Sequence, residues 1–485
     1  MGPVGDYVCP GRGRACGRDA GAVERLTPLA DAFLEAEDVD VSASLAIGSL
    51  AVFAGPAPPF EELVEAISGR LPLIPRYRQR LRPVPFGLAP PAWVDDPDFD
   101  IHDHLHEVAV PAPGGRAEVA DLMSRLMSTR MDRSRPLWDY SFWEGLPGGR
   151  WALLSKVHHS VVDGVSGTDL YQLLLDPTPT QRPGVPDTWR PEPEEPVVRY
   201  TADALRELVS SPLHLTGALA HAARTPRRMV RTSARTATGL LTLSGALRPV
   251  HGSSLSGPLG GGRRYTWTNV RLDDVRTVRK AYDATVNDVA LAAVTGGFRR
   301  LLLARGEPTD AHALRSLVPV STRRPGEESI PDNRVTLMLP FLPVEVADPV
   351  ERLAAIKRRI RSLRGRHEPE AGEGLTNAAE FGPFPSVAWG MRLGWRLPQH
   401  QVTTVTTNVP GPRTPLYALG RELLELLPYV PIADRVRIGV AMFSYRDTLT
   451  YGLTGDFETT SDLDVLAAGI GASLDELLER VPRAG

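Results

Sequence analysis

The feature that most constrains the fold of this chain is an apolar run that leads directly into two histidines. The run and its continuation read Trp151-Ala-Leu-Leu-Ser-Lys-Val-His158-His159-Ser-Val-Val-Asp163-Gly164. The first eight residues predict a buried strand. Gly164 predicts a sharp turn after it, since glycine adopts backbone conformations that other residues resist. Any fold must therefore place both histidines at the end of a core strand.

Histidine at such a position has a specific chemical use. Its pKa of about 6.5 lets it take up and return a proton at neutral pH. A nearby carboxylate, here Asp163, can hold the ring and its tautomer. The alternative interpretation is that His158 and His159 are ordinary residues at a strand end.

Length, charge and cysteine content narrow the class of protein. The 485 residues are enough for two domains with sizeable cores. Apolar content of 42% and charged content of 23% are typical of a soluble globular protein, and the net charge of −3 gives no reason to expect nucleic-acid binding. The two cysteines, Cys9 and Cys16, exclude a disulfide framework and favour a reducing compartment.

The chain contains no apolar run of about 18 residues, which argues against a membrane-spanning helix. The N-terminus has no secretory signal, so we predict a cytoplasmic protein. Strands and helices mix throughout without an internal repeat, which predicts mixed α/β architecture in two domains. The predicted divisions are a disordered extension (1–22), an N-terminal domain (23–176), a Pro-rich linker with a basic helical crossover (177–262) and a C-terminal domain (263–485).

Local signals predict most of the individual elements. Thr27 suits the N-cap of a first helix with Pro28 at its first position, and Gly148-Gly149 predict a hairpin turn before Trp151. Helices are predicted at 60–70, 117–131, 166–175, 285–303, 350–366 and 463–481. Strands are predicted at 44–54, 265–272, 317–324, 335–344, 401–412, 436–443 and 448–453.

Three further histidines, His102, His104 and His106, alternate along the chain. On a strand they would share one face, so a zinc site is conceivable. No fourth ligand with suitable spacing is evident, and a polar strand face is the favoured interpretation. We therefore predict no metal.

A cluster of arginines lies in the crossover, at Arg224, Arg227, Arg228, Arg231 and Arg235. The cluster suits a solvated helix between domains. It also suits a surface that meets anionic lipid headgroups or CoA phosphates.

The motif His158-His159-x-x-x-Asp163-Gly164 resembles the active-site motif of CoA-dependent acyltransferases. Other short motifs stand in a fixed order around it: Leu26 to Leu34, Pro136-Leu137-Trp138, Asn287-Asp288, Pro319 to Arg323, and Asn408-Val409-Pro410-Gly411-Pro412. In this order they resemble the bacterial wax ester synthase/diacylglycerol acyltransferase family over nearly the whole chain. The resemblance implies two chloramphenicol-acetyltransferase-like domains with the active site in a tunnel between them.

The resemblance also implies an activity: transfer of a long-chain acyl group from acyl-CoA to diacylglycerol or a fatty alcohol. His159 would be the general base, with His158 in a supporting role. Asp163 is favoured as a structural residue that holds the loop, rather than as part of a relay. Acyl-CoA would be a co-substrate and no cofactor is expected. The enzyme would meet its lipid substrate at the inner face of the membrane or at lipid inclusions.

The second domain and the flanking motifs supply the remaining candidates. Asn287 is the implied oxyanion donor, although its position also suits a helix N-cap. Substrate contacts are expected from Gly164, Asp288, Asn408 and Gly411, although the last two also suit a strand-end turn. Pro136, Leu137 and Trp138 are expected to pack beneath the site.

Other functions remain open from the sequence. The same histidine motif occurs in condensation domains that form amides, although no carrier-protein module accompanies it here. An acyltransferase for glycolipid or polyketide alcohols, or a lipid-binding protein with a vestigial site, would also fit. No P-loop or dinucleotide fingerprint is present.

Overall fold

The computed structural model of the protein describes residues 24–161, 175–206, 253–321, 335–365 and 401–482. Predictions for residues 1–22, for a helix at 166–175 and for the arginine cluster at 224–235 lie outside these ranges. The helices with both ends in the described ranges are α1 (Pro28–Val39), α2 (Phe60–Ser68), α3 (Arg116–Ser128), α4 (Leu272–Ala281), α5 (Val286–Ala304), α6 (Pro349–Gly365) and α7 (Leu463–Glu479). The strands are β1 (Ala46–Phe53), β2 (Gln79–Arg82), β3 (Ala92–Asp95), β4 (Leu105–Ala109), β5 (Trp138–Glu144), β6 (Trp151–His158), β7 (Arg263–Arg271), β8 (Ser316–Ser321), β9 (Val335–Met338), β10 (Thr404–Pro410), β11 (Tyr417–Ala418), β12 (Arg421–Tyr429), β13 (Ile438–Tyr445) and β14 (Thr448–Asp456).

The first sheet has six strands in the order β11-β12-β1-β6-β5-β4. The strand β6 lies between β1 and β5, antiparallel to both, and this central position explains its almost continuous apolar sequence. The predicted hairpin turn before it is confirmed, since Gly148 and Gly149 both have positive φ values, 74° and 68°.

The second sheet has the order β7-β14-β13-β10-β8-β9. Strand β10 runs parallel to both β13 and β8, whereas β13, β14 and β7 are antiparallel neighbours. Helices α5 and α7 pack on this sheet, and the glycines Gly297 and Gly469 permit their close approach, since a Cβ at Gly469 would lie 3.0 Å from the Gly297 Cα. The second apolar core lies between these helices and the sheet.

Two strands from the second half of the sequence, β11 and β12, complete the first sheet. Strand β12 pairs antiparallel with β1, from Gly48 opposite Tyr429 to Val52 opposite Glu425. Its side chains enter two apolar clusters, Leu426 on one side of the sheet and Leu427 on the other. Sequence patterns did not predict this strand, because pairing between distant segments leaves no local signal.

The acidic, Pro-rich segment that composition marks as a linker lies against the first half of the protein. The buried Asp176 carboxylate accepts two hydrogen bonds from Arg70, at 2.7 and 2.8 Å. Further along, Asp187 pairs with Arg78, and Glu194 pairs with Arg82 at 2.8 Å. The segment is therefore extended but bound by ion pairs along its length.

The prediction that His102, His104 and His106 share one strand face is wrong. His102 lies in the short 3₁₀ turn Ile101–Asp103, and β4 begins only at Leu105. The buried His104 ring stacks on Trp138, whereas His106 is half-exposed on β4. Within the described residues no group of three or more His, Cys, Asp or Glu side chains could hold a metal ion.

None of the described helices is both long enough and apolar enough to cross a membrane.

Candidate active site

The histidine pair lies where strand β6 ends and a 3₁₀ turn, His159–Val161, begins. The His158 N–H donates to the Leu137 carbonyl at 3.0 Å, and the His159 N–H donates to the Leu45 carbonyl at 3.3 Å. Two neighbouring strands thus hold the backbone of the motif. Its position at a strand end follows directly from the apolar run that precedes it.

His158 is buried, with 1% of its surface exposed. Its Nδ1 accepts the Ser160 N–H at 3.2 Å and lies 2.7 Å from the Ser160 hydroxyl. Because a backbone N–H can only donate, Nδ1 carries no proton in the neutral ring and Nε2 does. Nε2 lies 3.4 Å from Glu37 Oε1, which is longer than an ideal hydrogen bond.

Glu37 of α1 is the partner that sequence reasoning missed. Its buried carboxylate accepts the Leu45 N–H at 2.6 Å and an Arg133 N–H at 3.0 Å. Burial alone raises the pKa of Glu37, but the contacts with His158, Leu45 and Arg133 outweigh burial and lower the pKa to about 2. The carboxylate is therefore ionised at neutral pH beside the histidine pair.

His159 is only partly buried, and its ring stacks on Phe33 of α1. The ring centroids are 4.0 Å apart and the planes differ by 24°. Phe33 covers one face of the imidazole. Asp163 and Gly164, the other residues of the predicted motif, lie outside the described residues.

The residues Pro136, Leu137 and Trp138 are buried at the start of β5, beside the histidines. The Leu137 carbonyl accepts the His158 N–H, and Trp138 lies opposite Val157 in the sheet. The Trp138 indole donates to the Tyr77 carbonyl at 2.8 Å, and its ring lies between Tyr77 and His104, with both ring centroids 4.5 Å away. Through these contacts Leu137 and Trp138 pack against the end of β6 that carries His158.

Asn287 and Asp288 lie in the first turn of α5. The N-cap of this helix is Thr285, so the alternative that Asn287 is the N-cap is wrong. The Thr285 hydroxyl accepts the Asp288 N–H at 3.1 Å, and the Asp288 carboxylate accepts the Thr285 N–H at 2.9 Å. Asp288 and Thr285 together form a capping box at the start of α5. This role, rather than a substrate contact, explains why an aspartate stands at position 288.

Asn408 on β10 contacts Asn287 directly. Its Nδ2 donates to Asn287 Oδ1 at 3.1 Å, although the two residues are 121 positions apart. Because Asn287 accepts this bond with its oxygen, its own amide N–H groups point away from Asn408 and can donate in another direction. The structure thus brings together two of the residues that the sequence suggested separately.

Gly411 follows β10 at a very close approach to β13. A Cβ at this position would lie 2.0 Å from the Ser444 carbonyl oxygen and 2.3 Å from Phe443 Cε1. The Gly411 N–H donates to the Ser444 hydroxyl at 3.1 Å. A larger residue cannot occupy this position, which explains the Pro-Gly-Pro sequence at the strand end.

Phe443 places part of β13 in the apolar cluster of the first half of the chain. This residue lies opposite Val409 in the parallel pair of β10 and β13. It belongs to the same apolar cluster as Val157 and Val161, which flank the two histidines. The strand end with Asn408 therefore adjoins the core that supports the histidine motif.

Comparison with known protein families gives two matches. A model of the wax ester synthase/diacylglycerol acyltransferase catalytic domain matches residues 26–290, and a model of the WS/DGAT C-terminal domain matches residues 332–478.

Relatives of similar length are found in mycobacteria. A Mycobacterium tuberculosis protein named as a probable diacylglycerol O-acyltransferase is 40% identical over 459 residues, which covers 94% of this chain and 96% of that protein. A Mycobacterium bovis protein with the same activity in its name matches with the same identity and coverage.

Solved structures share the fold. The wax ester synthase/diacylglycerol acyltransferase from Marinobacter aquaeolei is 26% identical, with a TM-score of 0.65 over 94% of this chain and 99% of that chain. The first condensation domain of the calcium-dependent antibiotic synthetase, 19% identical, has a TM-score of 0.61 over 95% of this chain and 98% of that chain. The prediction of a mixed α/β, chloramphenicol-acetyltransferase-like fold is confirmed.

Proposed function

Because this chain belongs to the wax ester synthase/diacylglycerol acyltransferase family, we propose that it transfers a long-chain acyl group from acyl-CoA to the hydroxyl of diacylglycerol, with fatty alcohols as a second acceptor. The observation that supports the proposal is the position of the His159 side chain. His159 lies in a rigidly held turn at a core strand end, with one ring face covered and the side chain partly exposed.

In the proposed reaction His159 is the general base. It takes the proton from the acceptor hydroxyl while the hydroxyl oxygen attacks the thioester carbonyl carbon. The resulting tetrahedral oxyanion collapses, the C–S bond breaks, and the imidazolium returns the proton to the CoA thiolate. One proton leaves the alcohol and one proton ends on the thiol, so the transfer balances without an acyl-enzyme.

Asn287 is the proposed donor to the oxyanion. Its support is the hydrogen bond from Asn408, which occupies Asn287 Oδ1 and so orients the amide N–H groups away from Asn408. A donor held in place before the reaction stabilises developing negative charge without reorganisation.

The proposed direct transfer needs no metal or prosthetic group, and acyl-CoA acts as co-substrate. The two substrates would reach the site from opposite ends of a tunnel between the halves.

Diacylglycerol resides in lipid, so the protein would act at the inner face of the membrane or at lipid inclusions. The arginines from Arg224 to Arg235 are the proposed contact with anionic lipid. Replacing all five with Glu should release the protein from anionic vesicles, and unchanged binding would reject this contact.

Release of free CoA from palmitoyl-CoA tests the activity. Diolein, hexadecanol and a long-chain amine are offered separately to the wild type, to His159→Ala and to His106→Ala, a matched loss of an exposed histidine. Alcohol-dependent release that falls about 10²- to 10⁴-fold in His159→Ala alone is the expected result. Undiminished release in His159→Ala would reject the base, and release only with the amine would indicate a condensation reaction.

A further inference from the structure

Helix α1 presents two side chains to the histidine pair. Phe33 and Glu37 are four residues apart and therefore lie on one face of the helix. Phe33 stacks on the His159 ring and Glu37 lies against His158 Nε2. We propose that Phe33 and Glu37 are positioning residues for the acyl transfer, a role that rests on the proposed function: Phe33 sets the ring plane of the base and Glu37 fixes the turn that carries it.

Glu37 reaches both histidines by two short paths. Its Oε1 lies 3.4 Å from Nε2 of His158, whose Nδ1 is already occupied by Ser160. The same Oε1 accepts the Leu45 N–H at 2.6 Å, and the carbonyl of Leu45 accepts the His159 N–H. One carboxylate therefore lies against the side chain of His158 and, through Leu45, holds the backbone of His159.

Phe33 acts on the ring itself. Stacking at 4.0 Å excludes solvent and substrate from one face of the imidazole. Stacking covers a ring face, whereas both nitrogens lie on the ring edge. An imidazole fixed in this plane can meet the acceptor hydroxyl from a defined direction, and a shift of about 1 Å in such a group can cost about 100-fold in rate.

Glu37 also sets the local charge. Three described cations surround Glu37 and His158: Arg130 and Arg133, which follow α3, and Lys156 on β6, whose ammonium group donates to the carbonyls of Leu126 and Thr129. Two further carboxylates act on them, since Asp38 also pairs with Arg133 and the charge of Asp139 also acts on Lys156. Removing the Glu37 carboxylate would leave these cations with less compensating negative charge, and a more positive surrounding disfavours the imidazolium form of His159.

The test compares four variants of the full-length protein. Glu37→Gln removes the carboxylate charge at constant size, Phe33→Leu removes the ring, and Phe33→Tyr keeps it. Asp38→Asn is the matched control, because Asp38 lies on the same helix and pairs with the same Arg133 at 2.8 Å but is exposed. For each variant we would measure kcat and KM with the acceptor that the wild type uses, kcat against pH, and the NMR titration of the His159 ring.

We expect kcat to fall about 10- to 100-fold in Glu37→Gln and Phe33→Leu, with KM for acyl-CoA within about twofold of wild type. Phe33→Tyr and Asp38→Asn should keep kcat near the wild-type value. In Glu37→Gln the acidic limb of kcat, and the titration midpoint of His159, should move to lower pH. Asp38→Asn should move neither.

Three results would overturn the proposal: an equal kcat loss in Asp38→Asn, a rise in KM at unchanged kcat in Glu37→Gln, or an unmoved His159 midpoint in that variant. The NMR titration needs no turnover. It therefore still tests the positioning role if the wild type acylates neither diolein nor hexadecanol, a result that would reject the proposed function alone.

Discussion

At the scale of single residues, buried polar contacts account for the geometry of the site. Ser160 contacts Nδ1 of His158, Glu37 lies 3.4 Å from its Nε2, and Asn408 donates to Asn287. Each of these groups is partly or fully buried, so loss of one partner leaves the other unsatisfied, at a cost of about 1–3 kcal/mol. The site is consequently sensitive to substitutions that change no net volume.

The asparagine pair makes a prediction about coupling. Asn287→Ala should lower kcat about 10²- to 10³-fold by removing the oxyanion donor. Asn408→Ala should lower it about tenfold, because Asn287 is then free to rotate away. The double variant should be no slower than Asn287→Ala, since Asn408 acts only through Asn287. Independent, multiplying losses in the double variant would show that Asn408 has a separate role.

Glu37 makes a prediction about stability against pH. Its pKa is lowered from 4.5 to about 2 in the folded protein, so the ionised form stabilises the fold above pH 4.5. This contribution, about 3 kcal/mol, is lost as the pH falls from about 4.5 to about 2. Denaturation of wild type and Glu37→Gln should therefore show a stability difference that is constant near pH 7 and narrows below pH 4.5. A difference that persists to pH 2.5 would contradict this assignment of the shift.

At the scale of elements, local sequence signals predict many of the helices and strands, although helix α4 and strands β2, β3, β11 and β12 were not predicted. Helix α1 starts at the predicted cap, where the Thr27 hydroxyl accepts the Ala30 N–H at 3.2 Å. The strands β6, β13 and β14 lie where alternation or apolar runs indicate them. The prediction for 335–344 is too long, since β9 ends at Met338. The assignment of the cap of α5 to Asn287 also failed, because Thr285 two residues earlier caps equally well and only the folded backbone decides between them.

The capping box at α5 can be tested directly. Thr285→Ala removes the side chain that accepts the Asp288 N–H, and we expect a loss of about 1 kcal/mol in the free energy of unfolding. Urea denaturation would show it as a lower midpoint at unchanged slope. Thr277→Ala is the control, since the exposed Thr277 hydroxyl donates to the Asp273 carbonyl within α4 and caps no helix start. Equal losses in the two variants would argue against the cap.

At the scale of the whole molecule, β12 joins the two halves of the sequence. Four of its residues, Leu423, Leu426, Leu427 and Tyr429, are at least 96% buried in clusters that also contain residues of β1 and β6. At about 1.5–3 kcal/mol for each buried side chain, their loss would remove a stabilisation comparable with the 5–15 kcal/mol that holds a typical protein folded. The first sheet is therefore incomplete without the second half of the chain.

This dependence predicts the behaviour of fragments. Residues 24–262 expressed alone should unfold without a cooperative transition, because the edge of β1 is exposed and its cluster lacks the β12 side chains. Co-expression with residues 263–485 should restore a soluble complex with cooperative unfolding. A cooperative transition of the first fragment alone, followed by circular dichroism, would show that β12 is dispensable.

The sequence by itself determined the short-range features of this protein: the core strand that ends in His158 and His159, the caps and turns, the mixed α/β class and the family. These depend on periodicity, on residue types at fixed spacing and on backbone preferences, all of which act over a few residues. Only the tertiary structure decided that Glu37 meets His158, that Asn408 meets Asn287 across 121 positions, and that β12 enters the first sheet. Those contacts arise because buried polar groups and strand edges must find partners wherever the fold brings them together, and nothing in the local sequence states which partner that will be.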